Sequence, residues 1–434
     1  MFDGCYNSKI LDRFKYLDTQ YVNNFSYMFR DCRPLKNIKP LENWDVSNGV
    51  NFSNMFEGCS SLQDIKPLEN WNVSNGKYFQ SMFYNCSSLS DIKSLEKWNV
   101  SNCVNFSNMF CHCSSLSNIE SLENWNVSNC KYFQSMFHDC SSLSDIKSLE
   151  KWNVSNCVNF KSMFHDCLSL QSIKSLENWN VSNSNDFSYM FYHCSSLLDV
   201  KPLERWNVSN SKNFSYIFYC CFELKNINLE KWDVSNCKNF KYMFYSCSSL
   251  LDINLKKWNT SNCEDFSYMF FGCSSLLNIK SLENMNVSNG YDFESMFDSC
   301  NSLSEIQSLA NWNVSKGKNF SYMFYRCSSL SDIKPLEKWN VIRCSDFSYM
   351  FYGCSSLSDI KSLGNWDVSN GYNFSYMFYN CVSLSDIKSL GNWNVLNGRK
   401  FLYMFYGCFS LLDLEQLKKW EEQRALLFSQ CIIS

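Results

Sequence analysis

Residues 79–102 read FQSMFYNCSSLSDIKSLEKWNVSN, and this pattern returns along nearly the whole 434-residue chain. Its Met-Phe-x-x-Cys motif, with Ile once in place of Met, positions 16 cysteines from Cys5 to Cys408. They are separated by 13 steps of 27 residues and two of 26. The 14 tryptophans share one further column of the repeat. A fixed period of this length is typical of a solenoid, in which each repeat buries its apolar face against its neighbours.

Within the repeat, the spacing of the apolar residues predicts one short helix and one strand. Phe79, Met82, Phe83 and Cys86 stand at i, i+3, i+4 and i+7, which is the spacing of one helix face. The strand is predicted in the segment Leu-x-x-Ile-x-x-Leu that begins at Leu89. We therefore expect an α/β repeat.

The two 26-residue repeats differ from the others within the predicted strand. One of them reads Leu224-x-x-Ile227-x-Leu229, so that Ile227 and Leu229 are two residues apart and point to the same face of a strand. The ordinary repeat has one extra residue here, which we interpret as a β-bulge. Proline stands at this inserted position in four repeats, where no ladder amide is needed: Pro40, Pro67, Pro202 and Pro335.

Three columns of polar or small residues are interpreted as structural. Asn or Asp precedes the first Phe of most repeats, as Asn105 does, and is predicted to cap the helix. A later column of Gly, Ser or Cys, such as Gly76 and Cys103, indicates close packing, so its cysteines are interpreted as small fillers rather than ligands. The Asn of Asn-Val-Ser is a glycosylation acceptor in the secretory route. Because Asp45 replaces it in a normal repeat, we interpret it as a turn-forming position.

Only the two ends of the chain depart from the period. Residues 1–24 are predicted to form a degenerate N-terminal repeat or cap, residues 25–414 the solenoid, and residues 415–434 a C-terminal capping helix that packs Trp420 on the last repeat. Caps are expected because an open end of a solenoid would expose its core. Since Met1 opens inside a repeat motif, a truncated start is one interpretation.

Charge, hydropathy and cysteine content argue against several classes of protein. Lys and Arg number 39 against 42 Asp and Glu, a net charge of −3, which argues against a nucleic-acid binder that relies on phosphate neutralisation. No apolar stretch approaches the ~20 residues that span a bilayer, and no signal peptide or anchor is visible. The 25 cysteines are an odd number, and those on the apolar face are interpreted as free thiols of a reducing compartment.

The run Asn-Phe-Ser-Tyr-Met-Phe-Tyr-x-Cys-Ser-Ser-Leu-x-x-Ile at residues 319–333, with Trp-Asn-Val following, resembles the BspA-type leucine-rich repeat. That repeat belongs to surface proteins of mycoplasmas, other bacteria, and protists such as trichomonads and amoebae. The resemblance covers roughly residues 24–414. It implies a leucine-rich-repeat-like solenoid with a parallel β-sheet on one face and short helices on the other, in surface proteins linked to adhesion and host binding.

An enzyme needs a non-repeating cluster of residues with different roles, whereas nearly every Cys, His and Asp here sits in a periodic column. The sequence therefore predicts no enzymatic activity and no cofactor. In three successive repeats, the position two before the motif cysteine holds Cys111, His138 and His165, with Asp139 and Asp166 adjacent. Stacked in neighbouring repeats, these residues could form a Cys/His metal site. Because paired local ligand spacing is absent, we interpret the position as a variable exposed column and predict no metal.

The positions five and two before the motif cysteine are predicted to point away from the core, and from residue 189 onward they are largely aromatic. A stripe of tyrosines is the kind of surface enriched at protein interfaces. The alternative is that stacking between repeats merely stabilises the fold. This tyrosine ladder, which Tyr268 and Phe271 also join, comprises Tyr189, Tyr192, Tyr216, Tyr219, Tyr242, Tyr245, Tyr322, Tyr325, Tyr349, Tyr352, Tyr376, Tyr379, Tyr403 and Tyr406.

Together these features predict a non-enzymatic binding protein. The leading hypothesis is a surface adhesin or recognition protein that engages host or neighbouring-cell proteins or glycans, with its location at the cell surface implied by the resemblance. The alternative is a cytoplasmic scaffold for protein–protein interaction, favoured by the missing export signal and the unpaired thiols. Neither hypothesis involves nucleic acid or a transmembrane segment, and the tyrosine ladder could also serve self-association.

Overall fold

The computed structural model describes residues 15–412 and Trp420, in two compact units, residues 1–211 and 212–434. Each unit is a stack of repeats in which the same apolar columns are buried. Phe79, Met82, Phe83 and Cys86, for example, are 0% exposed. The predicted repeat solenoid is therefore confirmed within each unit. In the described part of the chain, no helix has the length and apolar character needed to cross a membrane.

The regular elements are short and recur once in each repeat. The first unit contains the 3₁₀ helices Lys39–Leu41, Lys66–Leu68, Lys93–Leu95, Glu120–Leu122, Lys147–Leu149, Lys174–Leu176 and Lys201–Arg205. The second unit contains the strands β1 (Asn226–Asn228) and β2 (Asp252–Asn254), followed by the 3₁₀ helices Lys280–Asn284, Gln307–Leu309, Lys334–Lys338, Lys361–Asn365 and Lys388–Asn392. Isolated parallel bridges, such as Asn51 to Tyr78, join neighbouring repeats elsewhere. The short helices of this fold are thus 3₁₀ helices.

The strand prediction is confirmed in the two 26-residue repeats, where β1 and β2 pair in parallel with Ile227 opposite Ile253. In the ordinary repeats the inserted residue is not a β-bulge, and this interpretation was wrong. The extra residue lets the chain close a 3₁₀ turn, in which the amide of Leu68 donates to the carbonyl of Ile65 at 2.9 Å. Pro67 fits near the start of this turn because its position needs no amide donor.

The Met-Phe segment is not an α-helix, so the predicted place of the helix was wrong. Ser81 and Asn85 have left-handed φ angles of 56° and 57°, which divide the segment into successive tight turns. The amide of Phe83 donates to the carbonyl of Met109 in the next repeat at 2.9 Å. An isolated two-turn helix would leave most of its end groups unpaired, whereas stacked turns bond to the neighbouring repeat. The predicted Asn cap has no helix to cap, but the Asn105 side chain accepts a hydrogen bond from the amide of Ser107 at 2.8 Å and so forms an Asx turn.

Side chains from several columns also bond each repeat to the one before it. The indole N–H of Trp98 donates to the carbonyl of Leu68 at 2.9 Å. The thiol of Cys86 donates to the carbonyl of Phe56 at 3.2 Å. On the surface, the side-chain amide of Asn102 donates to a backbone carbonyl of the previous repeat at 2.8 Å. The regular recurrence of these residue types along the chain therefore reflects contacts between repeats, and not only burial.

The small-residue column is closely packed, as predicted. A Cβ added to Gly76 would lie 2.4 Å from Cζ of Phe79, and Cys103 in the same column is 1% exposed. The thiols of Cys86, Cys111 and Cys140, for example, are free. The Asn of Asn-Val-Ser forms the predicted turn, because the amide of Ser74 donates to Oδ1 of Asn72 at 3.2 Å.

Trp420 continues the tryptophan column beyond the last complete repeat. Its ring stacks on that of Trp393 with centroids 6.1 Å apart, and its indole N–H donates to the carbonyl of Leu390 at 3.1 Å. The rest of the predicted capping helix at 415–434, and residues 1–14 of the predicted N-terminal cap, lie outside the described residues.

Candidate functional site

The tyrosine ladder runs along the outer side of the stacked Met-Phe turns. Every one of its 14 tyrosines is half-buried, as are Tyr268 and Phe271. The core residues between them, such as Met323 and Phe324, are 0% exposed. The predicted outward direction of both positions is therefore correct, although tight turns rather than a helix produce it.

In the second unit, one group of ladder rings forms two parallel columns from Tyr322 to Tyr406, which we call the C-terminal stack. The rings of Tyr322 and Tyr349 are 4.4 Å apart between centroids, at 8° to one another. Those of Tyr352 and Tyr379 are 4.6 Å apart at 1°. The stack comprises Tyr322, Tyr325, Tyr349, Tyr352, Tyr376, Tyr379, Tyr403 and Tyr406.

A second group in the same unit, which we call the central stack, comprises Tyr216, Tyr219, Tyr242, Tyr245, Tyr268 and Phe271. Tyr216 and Tyr242 lie 4.5 Å apart, and Tyr245 lies 4.3 Å from Phe271. The hydroxyl of Tyr268 donates to the carboxylate of Glu294 in the next repeat. This hydrogen bond marks the end of the central stack.

One repeat separates the two stacks because Ser295 and Asp298 occupy the ladder positions there. Both are buried, at 3% and 5% exposure. The Asp298 carboxylate accepts hydrogen bonds from the hydroxyls of Ser295 at 3.3 Å and Ser299 at 2.7 Å. Burial raises the pKa of Asp298 to about 7. Among the described residues of this unit, the rings of the ladder make no contact with one another across this repeat, although the core rings of Phe293 and Phe297 do. The structure therefore brings the predicted residues of this unit together as two separate surfaces.

The backbone beneath the ladder disfavours tyrosine. Tyr322, Tyr349 and Tyr376 have left-handed φ angles of 58–59°, a region that costs an ordinary side chain about 1–2 kcal/mol. In the first unit the same column holds Asn54 and Asn108 at 58° and 57°, and asparagine enters this region more readily than most residues. The turn itself can therefore be built without tyrosine.

Stacking covers both faces of an inner ring such as that of Tyr349, which lies between Tyr322 and Tyr376. Burial raises the pKa of Tyr349 and Tyr352 above the usual value near 10, at which a phenol is already neutral at physiological pH. A neutral phenol can both donate and accept a hydrogen bond. The C-terminal stack therefore presents a regular array of apolar edges and hydrogen-bonding groups.

Tyr189 and Tyr192 belong to the first unit and lie beside a row of histidines. The ring of Tyr192 stacks on that of His165, with centroids 4.2 Å apart at 8°. His165 in turn lies 4.1 Å from His138. The sequence analysis placed His138 and His165 in one column but missed His112 and His193, which stand one residue nearer the motif cysteine. The sequence could have shown this offset, because the chain has four histidines and all four stand one or two residues before the motif cysteine of successive repeats.

The strand side presents a polar surface in which acidic and basic groups alternate. The Asp64 side chain accepts from the backbone amide of Lys66 at 2.8 Å and thereby closes a local turn. Exposed ion pairs, such as Lys97 with Glu69 at 2.8 Å, join neighbouring repeats. Exposed pairs of this kind contribute little to stability. These contacts indicate a solvated face of mixed charge.

Comparison with solved structures finds leucine-rich-repeat proteins at low similarity. A leucine-rich-repeat protein from Bacteroides ovatus is 16% identical, with 86% of this chain and 85% of that chain covered and a TM-score of 0.40. A leucine-rich cell surface protein from Faecalibacterium prausnitzii is 13% identical, with coverages of 72% and 83% and a TM-score of 0.30. An internalin from Listeria monocytogenes is 13% identical, with coverages of 84% and 80% and a TM-score of 0.24.

The comparison with curated proteins finds no match. One family model matches the sequence in six overlapping segments, at residues 1–118, 90–198, 144–253, 169–279, 249–359 and 331–432. These segments span the repeats from the first motif cysteine to the last. The chain therefore belongs to the family described as "Mycoplasma protein of unknown function, DUF285".

Proposed function

We propose that this chain is a non-enzymatic recognition protein, a surface adhesin that binds proteins of host or neighbouring cells through the C-terminal stack. The resemblance of its repeats to the BspA type supports the surface role. A binding role also suits a repeat architecture, because stacked repeats offer an extended surface of regularly spaced side chains.

The observation that carries the proposal is the presence of tyrosine on left-handed backbone. The first unit forms the same turn with Asn54 and Asn108, so the tyrosines at 322, 349 and 376 are not needed to build it. Stacking of each pair contributes about 0.5–1.5 kcal/mol beyond area burial, which roughly offsets the backbone cost. A stabilising role alone would therefore gain little over asparagine, whereas tyrosine is enriched at interfaces.

The stacked geometry favours a protein partner over a glycan. Carbohydrate rings bind to the exposed faces of aromatic side chains, but the faces of inner rings such as Tyr349 and Tyr352 are covered at 4.4–4.6 Å by their neighbours. Ring edges and phenol groups suit the mixed apolar and hydrogen-bonding contacts of a protein surface. We therefore expect a protein ligand, with glycan recognition as the contrary outcome of the test.

The test exchanges the four tyrosines at 322, 349, 376 and 403 for asparagine, the residue that the first unit uses on the same backbone. Fluorescently labelled chain is applied to cultured epithelial cells and to cells of the source organism, and bound fluorescence is measured against concentration. We expect the fourfold variant to bind at least about tenfold more weakly, the equivalent of about 1.4 kcal/mol. Protease treatment of the target cells should abolish binding, and glycosidase treatment should leave it intact.

A matched control replaces tyrosines outside the ladder. Tyr291 and Tyr372 are 42% and 47% exposed in the same unit, and Tyr291→Asn with Tyr372→Asn should leave binding unchanged. Circular dichroism and thermal unfolding establish that each variant is folded. Unchanged binding by a folded fourfold variant would remove the C-terminal stack from the proposal, and loss of binding on glycosidase treatment would replace the protein partner by a glycan.

The free thiols support a second candidate function, an intracellular scaffold. Burial raises the pKa of Cys86, Cys140 and Cys354 well above its usual value, so these thiols are protonated and inert. Protease treatment of intact source cells distinguishes the two functions when a cytosolic protein is followed as the control. Digestion of this chain while the control survives supports the surface protein, and protection until lysis supports the scaffold.

A further inference from the structure

The four histidines of the chain lie in four successive repeats of the first unit and form one connected row. The rings of His112 and His138 are 5.1 Å apart, and those of His138 and His165 are 4.1 Å apart. His193 follows in the next repeat, where its Nδ1 lies 2.7 Å from Oδ1 of Asp166. Such a cluster is not explained by the recognition role of the C-terminal stack, which belongs to the other unit.

Two histidines of this row and one neighbouring carboxylate lie close together. His138, His165 and Asp166 each offer one possible ligand atom, and these atoms all lie within 4.8 Å of one another. Ligands of a tetrahedral zinc ion lie about 3.3 Å apart, since zinc–nitrogen and zinc–oxygen bonds are about 2.0–2.2 Å long. If rotation of these half-buried side chains moved each ligand atom by about 1 Å, the atoms would reach the separation that a zinc ion needs without any movement of the backbone.

His165 provides a separate indication that a partner is missing. Its buried Nδ1 has no hydrogen-bond partner of suitable direction. The Asp166 carboxylate approaches this atom to 2.9 Å, which is close enough for electrostatic attraction, but the two groups are adjacent in the chain and do not align as donor and acceptor. A metal ion placed between the two residues would satisfy both.

The flanking residues define which groups belong to the site. The hydrogen bond from His193 fixes the Asp166 carboxylate, the kind of support that orients metal ligands in proteins. His112 instead pairs with Asp139 at 2.9 Å, at the end of the row. Cys111, which the sequence analysis grouped with the histidines, is 2% exposed, and burial raises the pKa of its thiol to about 12. A protonated thiol is a poor ligand, so Cys111 is not part of the set.

We propose that His138, His165 and Asp166 bind one divalent transition-metal ion of the zinc class, with a fourth position open to water. This reverses the expectation from the sequence, which was based on the absence of paired local ligand spacing and did not include the supporting contact of His193. Two imidazoles with one carboxylate are a donor set that zinc, cobalt and nickel accept.

The experiment titrates the full chain, freed of metal by a chelator, with Co²⁺ and then with Zn²⁺. We expect one equivalent of Co²⁺ to give visible d–d absorption without a thiolate charge-transfer band in the near ultraviolet, and Zn²⁺ to remove this absorption. His138→Gln and His165→Gln should each weaken Zn²⁺ binding by at least about 100-fold, since loss of a direct ligand exceeds the effect of a supporting residue.

The matched control is His112→Gln, a histidine of the same row outside the ligand set, which should change the affinity by less than about threefold. Thermal unfolding without metal establishes that the variants fold. The cobalt spectrum of the unaltered chain decides the proposal even if a variant does not fold. Absence of the d–d absorption, a thiolate band, or unchanged Zn²⁺ affinity in folded His138→Gln would each overturn it.

Discussion

Met285 interrupts the tryptophan column of the second unit, and we expect Met285→Trp to stabilise that unit. Met285 is 4% exposed, at a position where other repeats bury an indole ring. In the preceding repeat, the indole N–H of Trp258 donates to the carbonyl of Leu229 at 2.8 Å. The corresponding carbonyl for position 285 belongs to Leu255, which has no indole donor in the present chain.

The expected gain follows from two contacts that an indole at position 285 would make. A buried hydrogen bond to the Leu255 carbonyl contributes about 0.5–1.5 kcal/mol. Contact with Trp312, at the 6.5 Å separation that Trp312 keeps from Trp339, contributes a similar amount. Repacking around the larger ring offsets part of this sum, so we expect a net gain of about 1–2 kcal/mol. For a unit of this size, that corresponds to a rise in Tm of about 2–8 °C.

The assay is thermal unfolding followed by far-ultraviolet circular dichroism, which does not depend on tryptophan fluorescence. The matched control is Trp312→Met, which removes the hydrogen bond to Leu282 at 3.0 Å and should lower the Tm by at least as much as Met285→Trp raises it. A Met285→Trp variant with an unchanged or lower Tm would refute the inference that an indole in this column stabilises the unit through these two contacts.

Two further predictions concern stability. Because burial raises the pKa of Asp298 to about 7, the folded chain binds this proton more tightly than the unfolded chain, whose carboxyl titrates near 3.8. Stability should therefore fall by on the order of 2–4 kcal/mol as the pH rises from about 4 to about 7, and Asp298→Asn should remove this fall in urea unfolding; parallel pH profiles would contradict it. Gly371→Ala should destabilise by about 1–3 kcal/mol in the same assay, since its Cβ would lie 2.3 Å from Cζ of Phe374; an unchanged midpoint would show that the ring moves aside.

The sequence predicted the columns of the repeat better than the backbone that connects them. Burial of Phe79 and Met82 follows from apolar spacing, and the spacing i, i+3, i+4 is satisfied both by a helix and by two successive tight turns. The tight turns differ from a helix in the left-handed backbone at residue 81. This position holds serine here and tyrosine or asparagine in other repeats, so the residue type gave no clear signal. The choice depends on hydrogen bonds to the neighbouring repeat, which the pattern of a single repeat does not contain.

The candidate sites show the same division. Outward tyrosines could be predicted from position alone, but their separation into two stacks depends on Ser295 and Asp298, whose burial only the structure shows. The sequence argued against the proposed metal site for a geometric reason. His193 and Asp166 are 27 residues apart, and both stand one residue nearer the motif cysteine than His165 does. The left-handed turn redirects the side chains at that position, so that they lie beside His165.

One inserted residue determines which of two backbone forms the strand segment adopts. In the 26-residue repeats, Ile227 and Leu229 are both buried. The same segment of two neighbouring repeats pairs in parallel, as β1 with β2. In the ordinary repeat, Ile65 and Leu68 are equally buried, but the extra residue closes a 3₁₀ turn between them. Since the same two side chains reach the core in both forms, burial sets the requirement and the local hydrogen bonds adapt to it. This also explains how repeats of both lengths can stack within one unit.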